Sequence, residues 1–94
     1  MTDESALPSD AIELGHGTFY TKQLSKDGIW TGIYEWHKEP GRDYYSAGYI
    51  PFVEFDAMRG WHVISKEPLT LHPSLACNQC GHHGWVQNGK WVPA

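Results

Sequence analysis

A two-residue turn, Asn88-Gly89, between two short aromatic segments is the sequence feature that most restricts the fold. Residues 85–87 read Trp-Val-Gln before the turn, and residues 90–92 read Lys-Trp-Val after it. Asparagine and glycine are the residues that best accept positive φ at both central positions of a type I′ turn, which joins antiparallel strands. The sequence therefore predicts a β-hairpin near the C-terminal end.

The rest of the chain also has the pattern of β-structure, because apolar and polar residues alternate between turn-forming residues. Residues 18–24 and 29–37 alternate in this way, and Asp27-Gly28 supplies the turn between them. No segment sustains a helical period. Further strands are predicted at residues 49–55, 61–65 and 69–71. The predicted fold class is mostly β: a small, single-domain antiparallel β-fold of five to seven strands with a C-terminal Cys/His loop and hairpin.

The charge is unevenly distributed along the chain. The 94 residues are enough for one domain with a hydrophobic core. Residues 1–13 carry four of the eleven acids and no Lys or Arg, whereas the remainder balances seven acids against seven bases. We expect residues 1–13 to form an acidic, flexible leader and residues 14–94 to form a single β-domain. Without a basic patch, binding to nucleic acid is not expected.

The sequence contains no signal for membrane insertion or secretion. No run of about 18 apolar residues is present, so no membrane helix is predicted. The acidic start lacks the basic and apolar segments of a signal peptide. These features predict a cytoplasmic protein, and in that compartment paired cysteines more often bind metal or carry out redox chemistry than form a structural disulfide.

The segment from Cys77 to His83, Cys-Asn-Gln-Cys-Gly-His-His, has the form of a zinc knuckle. A two-residue spacing lets the thiolates of Cys77 and Cys80 reach one ion, and a following glycine lets backbone amides approach the sulfurs. A complete zinc ribbon would have a second cysteine pair, which this chain lacks. A redox pair is the alternative, although thioredoxin-like pairs open a helix and a hairpin follows here. An unliganded reduced pair is the third reading.

A series of short motifs between residues 69 and 92 recurs in a known family. The motifs are Leu69-Thr70-Leu71-His72-Pro73-Ser74-Leu75, then Cys80 and His83, then Trp85-Val86, and finally Asn88-Gly89-Lys90-Trp91. In this order they resemble the core of a family of small phage and bacterial proteins, long described as a domain of unknown function. Some bacterial members are encoded in operons for ubiquitin-like conjugation, where they are considered peptidases that act on the modifier.

The resemblance implies a small hydrolase, a peptidase or isopeptidase, that acts on a peptide or on the tail of a ubiquitin-like protein. Ser74 matches the serine of the family motif and would be the nucleophile, and His83 matches the histidine and would be its base. The backbone amides of the loop from Gly81 to Gly84 are candidate oxyanion donors, because glycine permits a close approach to the substrate. The resemblance also implies a bacterial host or a phage-infected cell as the location.

If His83 is reserved for catalysis, the metal must use other ligands. Adjacent side chains on an extended segment point in opposite directions, which suits a division of labour between His82 and His83. The predicted zinc ligands are therefore Cys77, Cys80 and His82, with His72 as a fourth.

Two other functions fit the same residues. In the first, the protein is a non-enzymatic zinc-knuckle module of phage or bacterial origin that binds another protein, and Ser74 only caps a turn after Pro73. In the second, a zinc ion held by Cys77, Cys80 and a histidine activates water, although the signatures of zinc deaminases are absent. His37 and His62 each follow a tryptophan, and we expect both to be partly buried structural residues.

Overall fold

Nine strands form the regular structure of the chain in a computed structural model, which describes residues 6–38, 41–77 and 81–94. Their named pairings are all antiparallel, and these three segments contain no helix. The predicted class, a small mostly-β antiparallel domain, is confirmed. The strands are β1 (Ile12–Gly15), β2 (Thr18–Leu24), β3 (Trp30–Lys38), β4 (Tyr45–Pro51), β5 (His62–Lys66), β6 (Leu69–His72), β7 (Leu75–Ala76), β8 (His83–Gln87) and β9 (Lys90–Pro93).

The strands are divided among three sheets. The largest has the order β1-β2-β3-β4, a second consists of β5 and β6, and the third has the order β7-β8-β9. The strand count exceeds the predicted five to seven because β1 and β7, with four and two residues, are too short to show clear alternation. β4 begins at Tyr45, four residues before the predicted strand, and it ends at Pro51 on an outer edge of its sheet. Proline donates no backbone hydrogen bond, so an edge position suits it.

The C-terminal hairpin has the predicted turn. Asn88 and Gly89 have φ values of 53° and 72°, as a type I′ turn requires. The turn is also attached to β6, because Gly89 N donates to the Leu69 carbonyl at 2.8 Å and Asn88 N donates to Thr70 Oγ1 at 2.9 Å. These two bonds join the β5-β6 sheet to the β7-β8-β9 sheet.

All three sheets contribute to one hydrophobic core. Its buried members are Leu14, Tyr20, Ile33, Ile50, Phe52, Leu69, Leu71, Leu75, Val86 and Trp91. On β3 the inward face carries Ile33, followed by the buried polar residues Glu35 and His37. The predicted burial of His37 is therefore confirmed, whereas His62 is exposed at the start of β5. One end of the core is consequently polar, and the third sheet faces it.

The N-terminal part of the chain begins its regular structure at β1. This strand starts at Ile12, two residues before the predicted domain boundary, and pairs with β2. The mobility predicted for the acidic leader stays a prediction. Within the described part of the chain, no helix is long and apolar enough to cross a bilayer.

Candidate active site

Ser74 and His83 lie within hydrogen-bond distance of each other. The Ser74 Oγ and His83 Nε2 atoms are 2.9 Å apart. Ser74 stands in the two-residue connection between β6 and β7, and His83 is the first residue of β8. Because Ala76 is the partner of His83 in the antiparallel β7–β8 pairing, the chain before β7 passes beside the histidine. The structure therefore brings together the two residues for which the sequence predicts a catalytic role, and the role itself stays a prediction.

The backbone of Ser74 is held by a tryptophan from a different part of the chain. Trp61 Nε1 donates a hydrogen bond to the Ser74 carbonyl at 3.2 Å. Trp61 itself is fixed against the end of β4, where its N–H donates to the Pro51 carbonyl at 2.8 Å and its carbonyl accepts from Val53 at 3.0 Å. The nucleophile candidate is thus positioned relative to β4 as well as to β8.

The two side chains form a dyad rather than a triad in the described residues. No carboxylate there is hydrogen-bonded to the His83 ring, whose other neighbour is the Trp85 ring at a centroid distance of 5.8 Å. When His83 carries its proton on Nδ1, Nε2 accepts from the Ser74 hydroxyl, which is the arrangement needed to remove the serine proton. His83 is exposed and Ser74 is half-buried, so a substrate can approach the pair.

The glycines predicted as oxyanion donors are occupied elsewhere. The Gly81 N–H donates to the Cys77 carbonyl at 3.0 Å. Gly84 is buried inside the third sheet, between Leu75 on β7 and Pro93 on β9. Neither amide is thus directed at a substrate carbonyl beside Ser74, and this prediction needs other donors.

The backbone direction of β7 indicates such donors. The Cys77 N–H donates to the His82 carbonyl at 2.7 Å, so the backbone groups of Cys77 face β8. Along an extended chain successive residues alternate, which turns the N–H and carbonyl groups of Ala76 and Ser74 away from β8. The bond from Trp61 to the Ser74 carbonyl agrees with this direction. The same alternation, continued to the residue before β7, directs the N–H of Ser74 to the open side of the chain.

Of the three predicted zinc ligands that the structure describes, His72 lies apart from Cys77 and His82. His72 is exposed on β6, where it is the cross-strand partner of His62, and it is not part of the group that could hold a metal. Cys80 lies outside the described residues. His82 is half-buried and points towards β3, and Cys77 is hydrogen-bonded to the buried side chain of His37.

A buried cluster of Glu35, His37 and His82 takes the place of that set. The Glu35 Oε2 atom lies 2.8 Å from His37 Nδ1 and 3.7 Å from His82 Nε2. The rings of His37 and His82 are stacked with centroids 4.2 Å apart, and the hydroxyl of Thr18 lies 3.0 Å from His82 Nε2. On its other face the His82 ring stacks on Trp91. The cluster is enclosed by β2, β3 and β9.

The two histidines of the cluster have opposite pKa shifts. The hydrogen bond to Glu35 raises the pKa of His37, against the effect of burial, and the Cys77 side chain raises it further. Burial lowers the pKa of His82, and the neighbouring His37 lowers it again. A proton on the pair therefore resides on His37, next to the carboxylate, and His82 is the neutral imidazole.

Sequence reasoning missed Glu35 as a site residue and treated His37 as structural. The available signal was their i, i+2 spacing on the inward face of a strand, which places both side chains on one side. An acid and a base at two successive inward positions of a strand are unusual, because buried charged groups need partners. The contact of Glu35 and His37 with Cys77 and His82 depends on how separate sheets pack on each other. The spacing of residues in the sequence does not give that packing.

A pocket of about 250 Å³ opens between β4 and β7, beside the cluster. Its walls come from the middle of β4 and from the end of β7, and its floor is the buried acid–histidine pair of β3. The lining residues are Glu35, His37, Ser46, Ala47, Gly48, Ala76 and Cys77. Three of these have no side chain larger than a methyl group, so the walls are low.

Comparison with known proteins gives a family but no individual relative. No curated protein and no solved structure matches the chain. The family described as the bacterial ubiquitination-like system serine protease (BubE) matches residues 42–94, which is more than half of the chain. The matched part contains Ser74 and His83, and the predicted link to bacterial ubiquitin-like operons is confirmed. The chain belongs to the BubE family of bacterial ubiquitination-like system serine proteases.

Proposed function

We propose that this protein is a serine peptidase that hydrolyses the peptide or isopeptide bond after the tail of a ubiquitin-like modifier, with Ser74 as the nucleophile and His83 as its base. The observation that carries the proposal is the 2.9 Å contact between Ser74 Oγ and His83 Nε2, at the first residue of β8 and in the part of the chain that matches the serine protease family. The family description names a serine protease of a ubiquitination-like system, which supports a modifier tail as the substrate, and the dyad supports the serine chemistry.

The proposed reaction has two halves. In the first, Ser74 Oγ attacks the carbonyl carbon of the tail while His83 Nε2 takes the hydroxyl proton, and His83 then returns that proton to the leaving amine as the carbon–nitrogen bond breaks. The product is an ester between Ser74 and the tail. In the second half, His83 takes a proton from water, the hydroxide attacks the ester, and the Ser74 oxygen leaves with the proton from His83.

A negative charge develops on the carbonyl oxygen in both halves, and it needs donors. The Ser74 N–H is the donor that this arrangement offers, because it lies on the side of the chain facing away from β8. Trp61 supports this donor indirectly, since its bond to the Ser74 carbonyl fixes the same peptide segment.

An extended tail would reach Ser74 along the outer edge of β4. The direction of the β4 backbone groups follows from one bond, in which the Phe52 N–H donates to the Thr31 carbonyl at 3.0 Å. Because successive residues alternate, the N–H and carbonyl groups of Ile50 and Gly48 also face β3. Those of Tyr49 and Ala47 face outward. An edge of this kind accepts an added strand through main-chain hydrogen bonds.

The same edge leads to the nucleophile. At its far end the outward carbonyl of Pro51 is taken by Trp61, the residue that also holds the Ser74 carbonyl. The pocket between β4 and β7 has low walls at Ala47, Gly48 and Ala76, which suits a tail with small side chains. We therefore place the tail between the two strands, with its last carbonyl beside Ser74.

The test is cleavage of a ubiquitin-like modifier that carries a short C-terminal extension, followed by mass spectrometry of the products. We expect wild-type protein to release the extension, and Ser74→Ala to reduce the rate at least about a thousandfold. Ser65→Ala, which removes a partly buried serine on β5, is the matched control and should keep full activity. Because the Ser74 hydroxyl makes one hydrogen bond, to the exposed His83, its loss should change stability by about 1 kcal/mol or less.

Three results would count against the proposal. Cleavage by Ser74→Ala at the wild-type rate would show that Ser74 is not the nucleophile. Full activity of His83→Gln would show that His83 is not the base. Wild-type protein that binds the modifier without cleaving it would favour the binding-module reading. A fluorophosphonate probe adds a direct check, because it should label Ser74 in wild-type protein and leave Ser74→Ala unlabelled.

A further inference from the structure

The cluster beneath the pocket brings metal-ligand atoms together from distant parts of the sequence. One ligand atom from each of Glu35, His37 and His82 lies within 4.8 Å of the others. Glu35 and His37 are 7% and 3% exposed, so water competes poorly for these atoms. Carboxylates are rarely buried without a cationic or metal partner, and here the carboxylate faces two imidazoles.

Cys77 lies beside this group of three without being one of its members, and it is the nearest candidate for a fourth donor. Its side chain is hydrogen-bonded to His37, and it lines the same pocket as Glu35 and His37. One carboxylate, two imidazoles and one thiol form a donor set that suits zinc, whereas calcium and magnesium prefer oxygen ligands throughout. The side chains come from β3, from the residue after β7 and from the residue before β8.

We propose that Glu35, His37, Cys77 and His82 form a zinc site. When the ion binds, the hydrogen bonds between Glu35 and His37 and between Thr18 and His82 would be exchanged for metal–ligand bonds. The stacked rings of His37 and His82 would also rotate, so that a ring nitrogen of each points at the ion. The site differs from the one that the sequence predicts, because Glu35 and His37 of β3 stand in place of His72 and Cys80. Both residues of β3 precede the part of the chain that matches the family.

Such a site would hold the two walls of the tail-binding pocket at a fixed separation, an effect that rests on the proposed function. Glu35 and His37 belong to β3, the hydrogen-bonded neighbour of β4, and Cys77 directly follows β7. An ion bound to both would join the four-stranded sheet to the sheet that carries His83. The metal would then be structural, with Ser74 still performing the chemistry.

The experiment is elemental analysis of the full chain, purified without chelator and passed through gel filtration. We expect about one zinc per chain in wild-type protein, as structural sites give. His37→Ala and Cys77→Ser should lose the zinc. His72→Ala is the matched control: it removes an exposed histidine that belongs to the sequence-predicted set, and it should keep the metal.

A second measurement uses wild-type protein alone, so it does not depend on whether the variants fold. Cobalt exchanged into wild-type protein should show a thiolate-to-cobalt absorption band, and zinc should protect Cys77 from alkylation. Three results would each overturn the site. The first is wild-type protein without metal, and the second is loss of zinc in His72→Ala together with its retention in His37→Ala. The third is equal alkylation of Cys77 with and without zinc. Ser74→Ala should retain zinc while losing activity, so failure of the metal site and failure of the serine mechanism are distinguishable.

Discussion

Replacing Gly84 by alanine tests how tightly β8, the strand that carries His83, is packed. Gly84 follows His83 on β8, and a methyl group placed on it would lie 2.5 Å from the Val92 carbonyl oxygen and 2.7 Å from the ring of Trp91. Ordinary carbon contacts begin near 3.4 Å, so these neighbours would have to retreat by about 0.7–0.9 Å. Val92 is held in the β8–β9 pairing and Trp91 is 3% exposed, so neither can move easily.

Overpacking of this kind costs about 2 kcal/mol of unfolding free energy, which for a domain of this size lowers Tm by about 8–16 °C. The control is Gly48→Ala on β4, because a methyl group there meets nothing within 4 Å. Its Tm should equal that of the wild type or exceed it slightly, since alanine restricts the unfolded chain more than glycine does. The measurement is thermal denaturation followed by circular dichroism. If both variants melt within about 3 °C of each other, β9 does not pack on Gly84 as closely as described.

Two further predictions concern the turn at Asn88-Gly89 and the hydrogen bond that holds the backbone of Ser74. Gly89→Val should destabilise the protein by about 1–3 kcal/mol in urea denaturation, because a β-branched residue fits poorly at a φ of 72°. Asn88→Gly is the control and should not destabilise the protein. Equal stability of the two variants would contradict the type I′ turn. Trp61→Phe should lower the cleavage rate and leave KM nearly unchanged, because the Ser74 carbonyl loses its donor. Trp30→Phe is its control, since it also removes an indole bond to a carbonyl, that of Gly32; equal rates for both variants would show that Trp61 does not position Ser74.

Local chemistry explains which parts of the fold were predictable from the sequence. The turn at Asn88-Gly89 depends on the backbone preferences of two adjacent residues, so its hairpin was predicted correctly. β2 was predicted with its observed bounds because its alternation is regular and a turn follows. β7 was missed because two residues cannot display a period, and its strand character arises only from pairing with β8.

The residues of the candidate site also differ in how far the sequence could predict them. The approach of Ser74 to His83 was expected from a family motif, although the spacing of nine residues has no geometric meaning by itself. The meeting of Glu35 and His37 with His82 depends on the packing of one sheet on another, and residues 45 positions apart in sequence carry no common pattern. The glycine donors were inferred from flexibility alone, whereas the hydrogen bonds of the folded loop decide where Gly81 points.

The stack of His82 on Trp91 gives the protein an optical reporter. The two rings are nearly parallel, with an interplanar angle of 7° and centroids 4.5 Å apart. Indole emission is sensitive to the charge of a ring in face-to-face contact, so we expect an ion or proton that reaches His82 to change the fluorescence of Trp91. The difference in emission between wild-type protein and Trp91→Phe therefore follows the state of the buried cluster during a titration, without an added label.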